Sequence, residues 1–173
     1  DAKCEHCGAP MDDAQKFCKQ LSKKMGRTYQ LPSETQWEYA CRAGTETAFH
    51  YGSSLSSAQA NFNGNIPYGG AAKGPFLQRT SKVGSYPANA WGLYDMHGNV
   101  WEWCGDWFSP DFHLEGPRKD PQGPPGGTAK VMRGGSYLCH ESYCNRYRVA
   151  ARTSNTPDSS SGNIGFRCAL SYE

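Results

Sequence analysis

The sequence predicts a loop-rich α+β fold in a single domain of residues 1–173. The length suits one domain, 37% of the residues are hydrophobic, and 20 glycines and 11 prolines are spread through the chain. A chain of this size can bury a sizeable core, but so much glycine and proline leaves little room for long regular elements. Helical periodicity is confined to residues 11–44. Residues 1–10 are expected to form a disordered or chain-specific lead-in.

The first predicted helix spans residues 11–26 and is amphipathic. Asp12 or Asp13 is its expected N-cap, and Gly26 is its expected C-terminal stop. Its apolar face is predicted from residues that recur at helical spacing, namely Ala14, Phe17, Cys18 and Leu21.

The second predicted helix follows the strand-like residues 29–32. Ser33 and Gln36 have the spacing of a capping box, and Gly44 predicts the end of the helix. The residues that share its apolar face are Trp37, Ala40 and Cys41.

A long loop region is predicted over residues 52–127, because Gly, Pro, Asn and Ser recur there every few residues. Long loops in a compact domain are usually functional or held in place, and we expect aromatic side chains and bound ions to hold these. Strands are predicted in and after this region, one of them broken by paired glycines and the last closing the fold. These segments are residues 82–86, 101–107, 131–137 and 165–170.

The charge pattern argues against nucleic acid and membranes as partners. The 18 basic and 16 acidic residues nearly cancel and are interspersed, without a run of like charges. The longest apolar stretches are far short of the roughly 18 residues that a membrane span needs. The chain starts at Asp1, so a leader was removed or the sequence is a fragment, and the compartment stays open.

Cys139 and Cys144 are the pair of residues most suggestive of chemistry. Five residues of separation place two side chains about 140° apart on a helix and on opposite faces of a strand. Only an irregular turn brings them together. Two converging thiolates suit a soft, low-coordination metal such as Cu(I), or a disulfide that cycles. The alternative is a structural disulfide or two buried thiols.

The sequence around this pair closely resembles the carboxy-terminal signature of formylglycine-generating enzymes. The resemblance rests on RGGSYLCHESYCNRYR at residues 133–148, AAR at 150–152, NTPD at 155–158 and NIGFRC at 163–168. Two other segments, LPSETQWEY at residues 31–39 and WGLYDMHGNVWEW at residues 91–103, are similar to the broader sulfatase-modifying-factor family. The resemblance covers roughly residues 11–170, and the family's usual amino-terminal portion is missing.

The resemblance implies a variant of the C-type lectin-like fold and an oxidase activity. Cys139 and Cys144 would bind Cu(I), and a client cysteine would join them as a further ligand. With O2 and a thiol reductant, the client cysteine would become Cα-formylglycine. The implied client carries a Cys-x-Pro-x-Arg motif and is typically a sulfatase. We expect a monomer, which would be cytoplasmic if bacterial and in the secretory pathway if eukaryotic.

The resemblance also implies roles for neighbouring residues. Ser136 and Tyr143 would line the pocket for oxygen and thiol, Trp101 would lie beside the metal, and Asn163 and Arg148 would bind the client. For Ser136 and Asn163, the structural alternative is a residue that only closes or caps a turn. For Tyr143 and Trp101, it is a residue that only packs in the core. The lone histidine between the cysteines, at position 140, is left out of the metal set.

A structural calcium ion is implied at residues 95–102. Its ligands would be the side chains of Asp95 and Glu102 and the carbonyls of Gly98 and Val100, an oxygen-only set of the kind that Ca²⁺ takes. Alternatively, nearby arginines or backbone N–H groups satisfy the two carboxylates.

A second family calcium site would fall near Asn61 and Phe62. There the chain departs from the family pattern, because Lys73 lies near the place of an expected carboxylate. This site is therefore in doubt.

The other cysteines are expected to have separate roles. Cys18 and Cys168 match a disulfide that some family members form, and its loop would contribute about 4 to 5 kcal/mol in the chain-entropy model. Val149 stands where the usual partner of Cys41 would be, so Cys41 is expected to be a buried free thiol, like Cys104. The amino-terminal Cys-x-x-Cys at positions 4 and 7 supplies too few ligands for zinc.

Other functions remain as alternatives to the oxidase. The chief one is a non-catalytic C-type lectin-like module that binds a protein or ligand. A module that only presents a binding surface does not need paired cysteines. A regulatory pseudoenzyme, a further alternative, would be expected to have lost at least one of the two cysteines. A related sulfoxide synthase uses three histidines on iron, and the five scattered histidines here do not favour it.

Overall fold

A computed structural model describes residues 8–115 and 119–171. The predicted lead-in therefore lies mostly outside the described residues, and Cys4 and Cys7 with it. The regular elements are helices α1 (Met11–Met25), α2 (Glu34–Arg42) and α3 (Phe112–Glu115), and strands β1 (Tyr29–Gln30), β2 (Trp101–Trp107), β3 (Lys130–Arg133), β4 (Thr153–Asn155), β5 (Ile164–Gly165) and β6 (Ala169–Leu170).

Helix α1 confirms the first predicted helix but not its expected cap. The N-cap is Pro10, and no side chain caps the helix. Asp12 and Asp13 lie in the first turn, where carboxylates interact favourably with the unpaired N–H groups. Gly26 ends the helix in the left-handed conformation, at a φ of 64°, as predicted.

Helix α2 begins with the predicted capping box. The Ser33 hydroxyl accepts from the backbone N–H of Gln36 at 3.2 Å, and the Gln36 side chain accepts from the N–H of Ser33 at 2.9 Å. Ala43, one residue before the predicted Gly44, is the left-handed C-cap. The local sequence therefore predicts the start of this helix and places its end within one residue.

Two small sheets hold the strands. The larger one has the order β4-β3-β2-β5, with β3 antiparallel to both neighbours and β5 parallel to β2. In the other sheet, β1 pairs with β6. The prediction of one closing strand over residues 165–170 was therefore wrong, because its two ends belong to different sheets.

Residues 82–86 do not form the predicted strand. The backbone N–H of Ser81 donates to the side chain of Asn99, and that of Gly84 donates to the carboxylate of Asp95. Side chains from later in the chain thus take backbone donors within and beside this segment that a strand would present to a neighbour.

The central strands separate two hydrophobic clusters. Trp103 and Cys104 are adjacent in β2 and face opposite clusters, as do Val131 and Met132 in β3. The larger cluster contains Cys139 and packs partly against Cys144. The cysteine pair therefore lies at the edge of the main core.

Within residues 8–115 and 119–171, none of the helices has the length and apolarity that a membrane span requires.

Candidate functional site

Cys139 and Cys144 converge at an irregular turn. The sulfur of Cys139 donates to the sulfur of Cys144 at 3.1 Å. Between them, the backbones of His140 and Tyr143 pair with each other, and Cys144 has a positive φ of 55°. A non-glycine residue in this conformation is uncommon and is typical of functional turns. The irregular turn, which was predicted as the only way to bring the two thiols together, is thus present.

The paired glycines after β3 allow this turn to lie against the core. Gly134 and Gly135 both have positive φ, of 88° and 71°. A Cβ atom on Gly135 would lie 2.7 Å from the Cβ of Tyr147, so a larger residue does not fit there. Glycine therefore lets the chain pass close to Tyr147 and places Ser136 beside the cysteines.

Three of the predicted site residues form one hydrogen-bonded unit around Cys139. The backbone N–H of Ser136 points to the sulfur of Cys139 at 3.4 Å. The Ser136 hydroxyl accepts from the Asn163 amide at 3.2 Å, and the Asn163 carbonyl accepts from the N–H of Trp101 at 2.8 Å. The structure thus brings Ser136, Asn163 and Trp101 together, and it leaves their chemical roles as predictions.

The two thiols differ in protonation. The hydrogen bond from Cys139, helped by the N–H and charge of Arg146, lowers the pKa of Cys144 to about 6, although burial opposes this. The same hydrogen bond and burial raise the pKa of Cys139. The pair therefore shares one proton near neutral pH, with Cys139 as the thiol and Cys144 as the thiolate.

The Cys144 side of the pair faces the surface. Cys139 is only 1% exposed, whereas Cys144 is partly exposed, and Tyr143 and Leu138 are 69% and 46% exposed. The alternative of Tyr143 as a core residue is therefore wrong. Arg148, predicted to bind the client, contacts Asn145 through both its Nε and a terminal nitrogen.

Arg146 is a neighbour of the pair that the sequence interpretation did not single out. After the hydrogen bond from Cys139, the backbone and positive charge of Arg146 are the next causes that lower the pKa of Cys144. A basic residue two positions after a cysteine is a signal that could have indicated it, because nearby cations stabilise thiolates.

Three of the four residues of the predicted calcium site, all but Gly98, line one cavity, and the carboxylate of Glu102 already has partners. Asp95, Val100 and Glu102 line a cavity of about 510 Å³. Both oxygens of Glu102 accept from Arg167, at 2.5 and 2.6 Å, and one also accepts from the Trp37 indole at 2.6 Å. In this arrangement a calcium ion would have to displace Arg167 from Glu102, so calcium stays a prediction.

Around the second predicted calcium site, one buried oxygen lacks a partner. The amide nitrogen of Asn61 donates to the carbonyl of Arg79 and to Asn99, while its side-chain oxygen has no partner among the described residues. A buried amide oxygen of this kind suits a cation ligand. Phe62 next to it is fully buried.

The other described cysteines are thiols. The sulfurs of Cys18 and Cys168 lie 3.5 Å apart, and the disulfide between them stays a prediction. Cys41 and Cys104 are buried free thiols, as predicted, and burial raises the pKa of both. Elsewhere in the described ranges, no group of three or more His, Cys, Asp or Glu side chains could hold a metal ion.

Comparisons with known proteins agree with this architecture. A family model described as "Sulfatase-modifying factor enzyme 1-like domain" matches residues 8–172. A Streptomyces coelicolor protein named formylglycine-generating enzyme is 54% identical over 144 residues, which cover 80% of this chain and 46% of that protein. The chain thus spans about half the length of curated relatives that it matches.

Solved structures show the same fold. PvdO from Pseudomonas aeruginosa has a TM-score of 0.77 at 30% identity, over 96% of this chain and 61% of that one. Treponema denticola variable protein 1 has a TM-score of 0.72 at 23% identity, over 94% and 69% of the two chains. The loop-rich α+β architecture is therefore the C-type lectin-like variant that the resemblance implied. With a family match over residues 8–172, the chain belongs to the family of sulfatase-modifying factor enzyme 1-like domains.

Proposed function

We propose that this chain is a copper-dependent oxidase that converts a client cysteine to Cα-formylglycine. The client would carry a Cys-x-Pro-x-Arg motif, typically in a sulfatase. The single observation that carries the proposal is the 3.1 Å approach of the sulfurs of Cys139 and Cys144, at a partly exposed edge of the core. The similarity to proteins named formylglycine-generating enzyme supports the same activity.

The donor set of the pair fits a soft monovalent ion. Two sulfurs converge, one of them already a thiolate, and Cu(I) prefers such ligands to oxygen or nitrogen. Bound Cu(I) would supply a centre at which the client thiolate and O2 meet.

The residues of the chain prepare this site in two ways. Cys144 offers its thiolate, which Arg146 stabilises, while Cys139 must lose its proton when both sulfurs bind the ion. Ser136 directs its N–H to the sulfur of Cys139, and this contact strengthens when that sulfur becomes negative. The burial of Cys139 excludes water from one side of the pair.

The overall reaction balances with a thiol reductant. The client cysteine loses two electrons and two protons, one of them from its Cβ carbon, forming a thioaldehyde that water hydrolyses to the aldehyde and hydrogen sulfide. Reduction of O2 to water takes up these two electrons and two more, which come from the oxidation of two reductant thiols to a disulfide. The exposed Tyr143 and Leu138 offer an apolar surface for the client next to Cys144.

The second candidate is a non-catalytic binding module, favoured only by the fold that the chain shares with the Treponema denticola variable protein. The two functions separate in one experiment. The reduced chain is incubated in air with a Cys-x-Pro-x-Arg peptide and a thiol reductant, with and without Cu(I), and the peptide is analysed by mass spectrometry. An aldehyde that requires copper supports the oxidase. If the peptide stays a thiol in both samples, the binding module is the better account.

A matched control peptide tests whether the chain recognises the Cys-x-Pro-x-Arg motif. Replacement of the proline and arginine by alanine keeps the reactive cysteine and removes the predicted recognition motif. We expect the aldehyde yield to fall strongly with this control peptide. An equal yield would show oxidation of any accessible thiol and would contradict client recognition.

We also propose that calcium binds at Asp95 and that Glu102 then exchanges Arg167 for the ion. Asp95 is oriented towards the same cavity as Glu102 and its carboxylate accepts from the N–H of Gly84. The proposal predicts that calcium raises the unfolding temperature of the wild type and not that of Asp95→Asn. The same small shift in both proteins would contradict this site.

A further inference from the structure

Glu141 lies at the tip of a tight hairpin that carries the two cysteines. The backbones of His140 and Tyr143 exchange hydrogen bonds of 3.1 and 3.2 Å, which leaves Glu141 in a connection of two residues. In an antiparallel hairpin the next opposed pair is then Cys139 and Cys144. Glu141 is therefore two residues beyond Cys139, at most roughly 7 Å away between Cα atoms.

The carboxylate of Glu141 is anchored although the side chain is exposed. Its Oε1 accepts from the backbone N–H of Gly69 at 3.2 Å. Gly69 has a φ of 65°, and a Cβ there would lie 2.8 Å from the carbonyl oxygen of Ser53, so only glycine fits this position. A surface glutamate is usually mobile, whereas this one is held to a defined loop beside the pair.

The charge of Glu141 has no cationic partner within the part of the chain that the structure describes. None of the ion pairs there includes this carboxylate. The nearby Arg148 directs its Nε and one terminal nitrogen to Asn145 instead, at 3.1 and 3.3 Å. The described hydrogen bonds of Glu141 use only Oε1, so Oε2 is open to a ligand.

Exposed apolar side chains flank the same pair. Leu138 and Tyr143 belong to the segment of the hairpin, and Ile66 lies on the loop that contacts it. The N–H of Ile66 donates to the carbonyl of Asn63 at 3.2 Å, and the N–H of Asn63 donates to the carbonyl of Cys139 at 3.0 Å. This surface is complementary to a chain with an apolar residue and a cation close to its reacting cysteine.

We propose that Glu141 is a specificity residue whose carboxylate accepts from the arginine of the client motif. The inference rests on the proposed function, because the motif is that of the proposed client. Arginine suits the site, since it is always charged and presents several N–H donors to a carboxylate. An anchored carboxylate also loses less side-chain freedom when the arginine binds.

The length of the motif allows this contact. The cysteine and arginine of Cys-x-Pro-x-Arg are four residues apart, which is at most about 14 Å between Cα atoms. Glu141 lies closer to the pair than this along the hairpin. The client arginine can therefore reach Glu141 while the client cysteine meets Cys144.

Glu141→Gln separates recognition from a purely structural role, in which Glu141 only ties the hairpin to Gly69. The amide oxygen of glutamine can still accept from the N–H of Gly69, while the negative charge is lost. We expect Glu141→Gln to unfold at the wild-type temperature and to lose the preference for a cationic client.

The preference is measured on the reduced, metal-free chain with two peptides whose cysteine carries a nitrothiobenzoate group in a mixed disulfide. One peptide has arginine at the last motif position, and the other has the neutral glutamine. The Cys144 thiolate attacks the peptide sulfur, forms a disulfide with the peptide and releases the coloured nitrothiobenzoate anion. The rate of Cys144→Ser is subtracted, because it reports the other thiols. The ratio of the two rates cancels any change in the reactivity of Cys144 itself.

We expect the wild type to react about fivefold faster with the arginine peptide, and Glu141→Gln to react equally with both. Glu141→Arg should instead prefer a peptide with glutamate at that position. The matched control is Asp120→Asn, which removes an exposed carboxylate beside the start of α2 and should keep the wild-type ratio. A wild-type ratio in Glu141→Gln would overturn the proposal, and so would equal rates for both peptides in the wild type.

Formation of aldehyde in the copper assay separates this proposal from the proposed function. If the wild type forms no aldehyde but the ratio of rates depends on Glu141, the oxidase proposal fails and the recognition of a cationic chain stands. If the aldehyde forms and Glu141→Gln keeps the wild-type ratio, the role of Glu141 fails alone.

Discussion

Cys139 donates its thiol hydrogen to the sulfur of Cys144 across 3.1 Å, and this contact makes the two sulfurs chemically different. The buried donor keeps its proton, whereas the half-buried acceptor becomes a thiolate near neutral pH. Arg146 adds a positive charge on the side of the thiolate. The pair therefore presents one reactive sulfur to the surface and holds the other in the core.

This difference predicts the site of alkylation in the reduced, metal-free chain. Iodoacetamide should modify Cys144 before the other described cysteines, because only thiolates react and its pKa is lowered to about 6. The rate should rise from about pH 5 to 7 and then level off. Peptide mapping by mass spectrometry at several pH values measures the alkylation rate of each cysteine.

Replacement of the donor supplies the control for this prediction. Cys139→Ser replaces the thiol that stabilises the Cys144 thiolate, so the rise in alkylation rate should move to higher pH. A wild-type rate that continues to rise up to about pH 9 would contradict the assignment of the proton.

The buried histidine His97 predicts that the fold loses stability in mild acid. Burial lowers its pKa to about 3, and burial also lowers the pKa of the stacked His50 to about 4, against 6.5 when exposed. The Nδ1 of His97 donates to the Tyr147 carbonyl, and its Nε2 accepts from the N–H of His50, so protonation would place two N–H groups against each other.

The sign of the effect follows from proton uptake. From about pH 6.5 down to 4, the unfolded chain binds more protons at these histidines than the folded chain, so the free energy of unfolding falls as the pH falls. We expect a loss of about 1.4 kcal/mol per pH unit for each histidine, measured by urea unfolding. His50→Gln should reduce the slope. Equal stability at about pH 7 and pH 5 would be evidence against buried neutral histidines.

The buried Arg133 should be a major determinant of stability. Its guanidinium donates to Glu34 at 2.9 Å, to Glu38 and to the carbonyl of Val149 at 2.8 Å, and it lies over the ring of Trp37. Arg133→Met leaves partly buried carboxylates without this partner and should cost about 3 kcal/mol or more in the free energy of unfolding.

The matched control is the exposed ion pair of Lys16 and Asp13, in which Nζ and Oδ1 lie 3.0 Å apart. Lys16→Met should leave the unfolding midpoint unchanged, because water screens exposed ion pairs. If Arg133→Met is as stable as wild type, the buried network is replaceable by apolar packing.

The predicted disulfide between Cys18 and Cys168 is testable on the same chain. Mild oxidation should join the two sulfurs and raise the free energy of unfolding by about 4 to 5 kcal/mol in the chain-entropy model. Non-reducing peptide mapping identifies the bond, and Cys18→Ser is the control that should not respond. Absence of a linked peptide after oxidation would refute the pairing.

Sequence patterns predicted the local structure well wherever neighbours in the chain determine it. The capping box of Ser33 and Gln36 and the left-handed stop at Gly26 both follow from short-range rules. The strand predicted at residues 82–86 is absent, and within it the backbone N–H of Gly84 donates to Asp95, which is distant in sequence.

The candidate site shows the same limit. The resemblance pointed to Cys139 and Cys144, yet their spacing alone left a disulfide, a metal site and two buried thiols open. Their convergence depends on the positive φ of Cys144, and the contact of Glu141 with Gly69 depends on the packing of two distant loops. Neither of these leaves a signal in a single sequence.

The most direct test of the central claim is the yield of peptide aldehyde from four copper-loaded proteins: wild type, Cys139→Ser, Cys144→Ser and Cys41→Ser. Cys41 is a buried thiol outside the pair, so its replacement controls for loss of a cysteine as such. The account predicts aldehyde from wild type and Cys41→Ser and essentially none from the other two. Aldehyde formation that survives in either Cys139→Ser or Cys144→Ser would contradict a reaction at this pair.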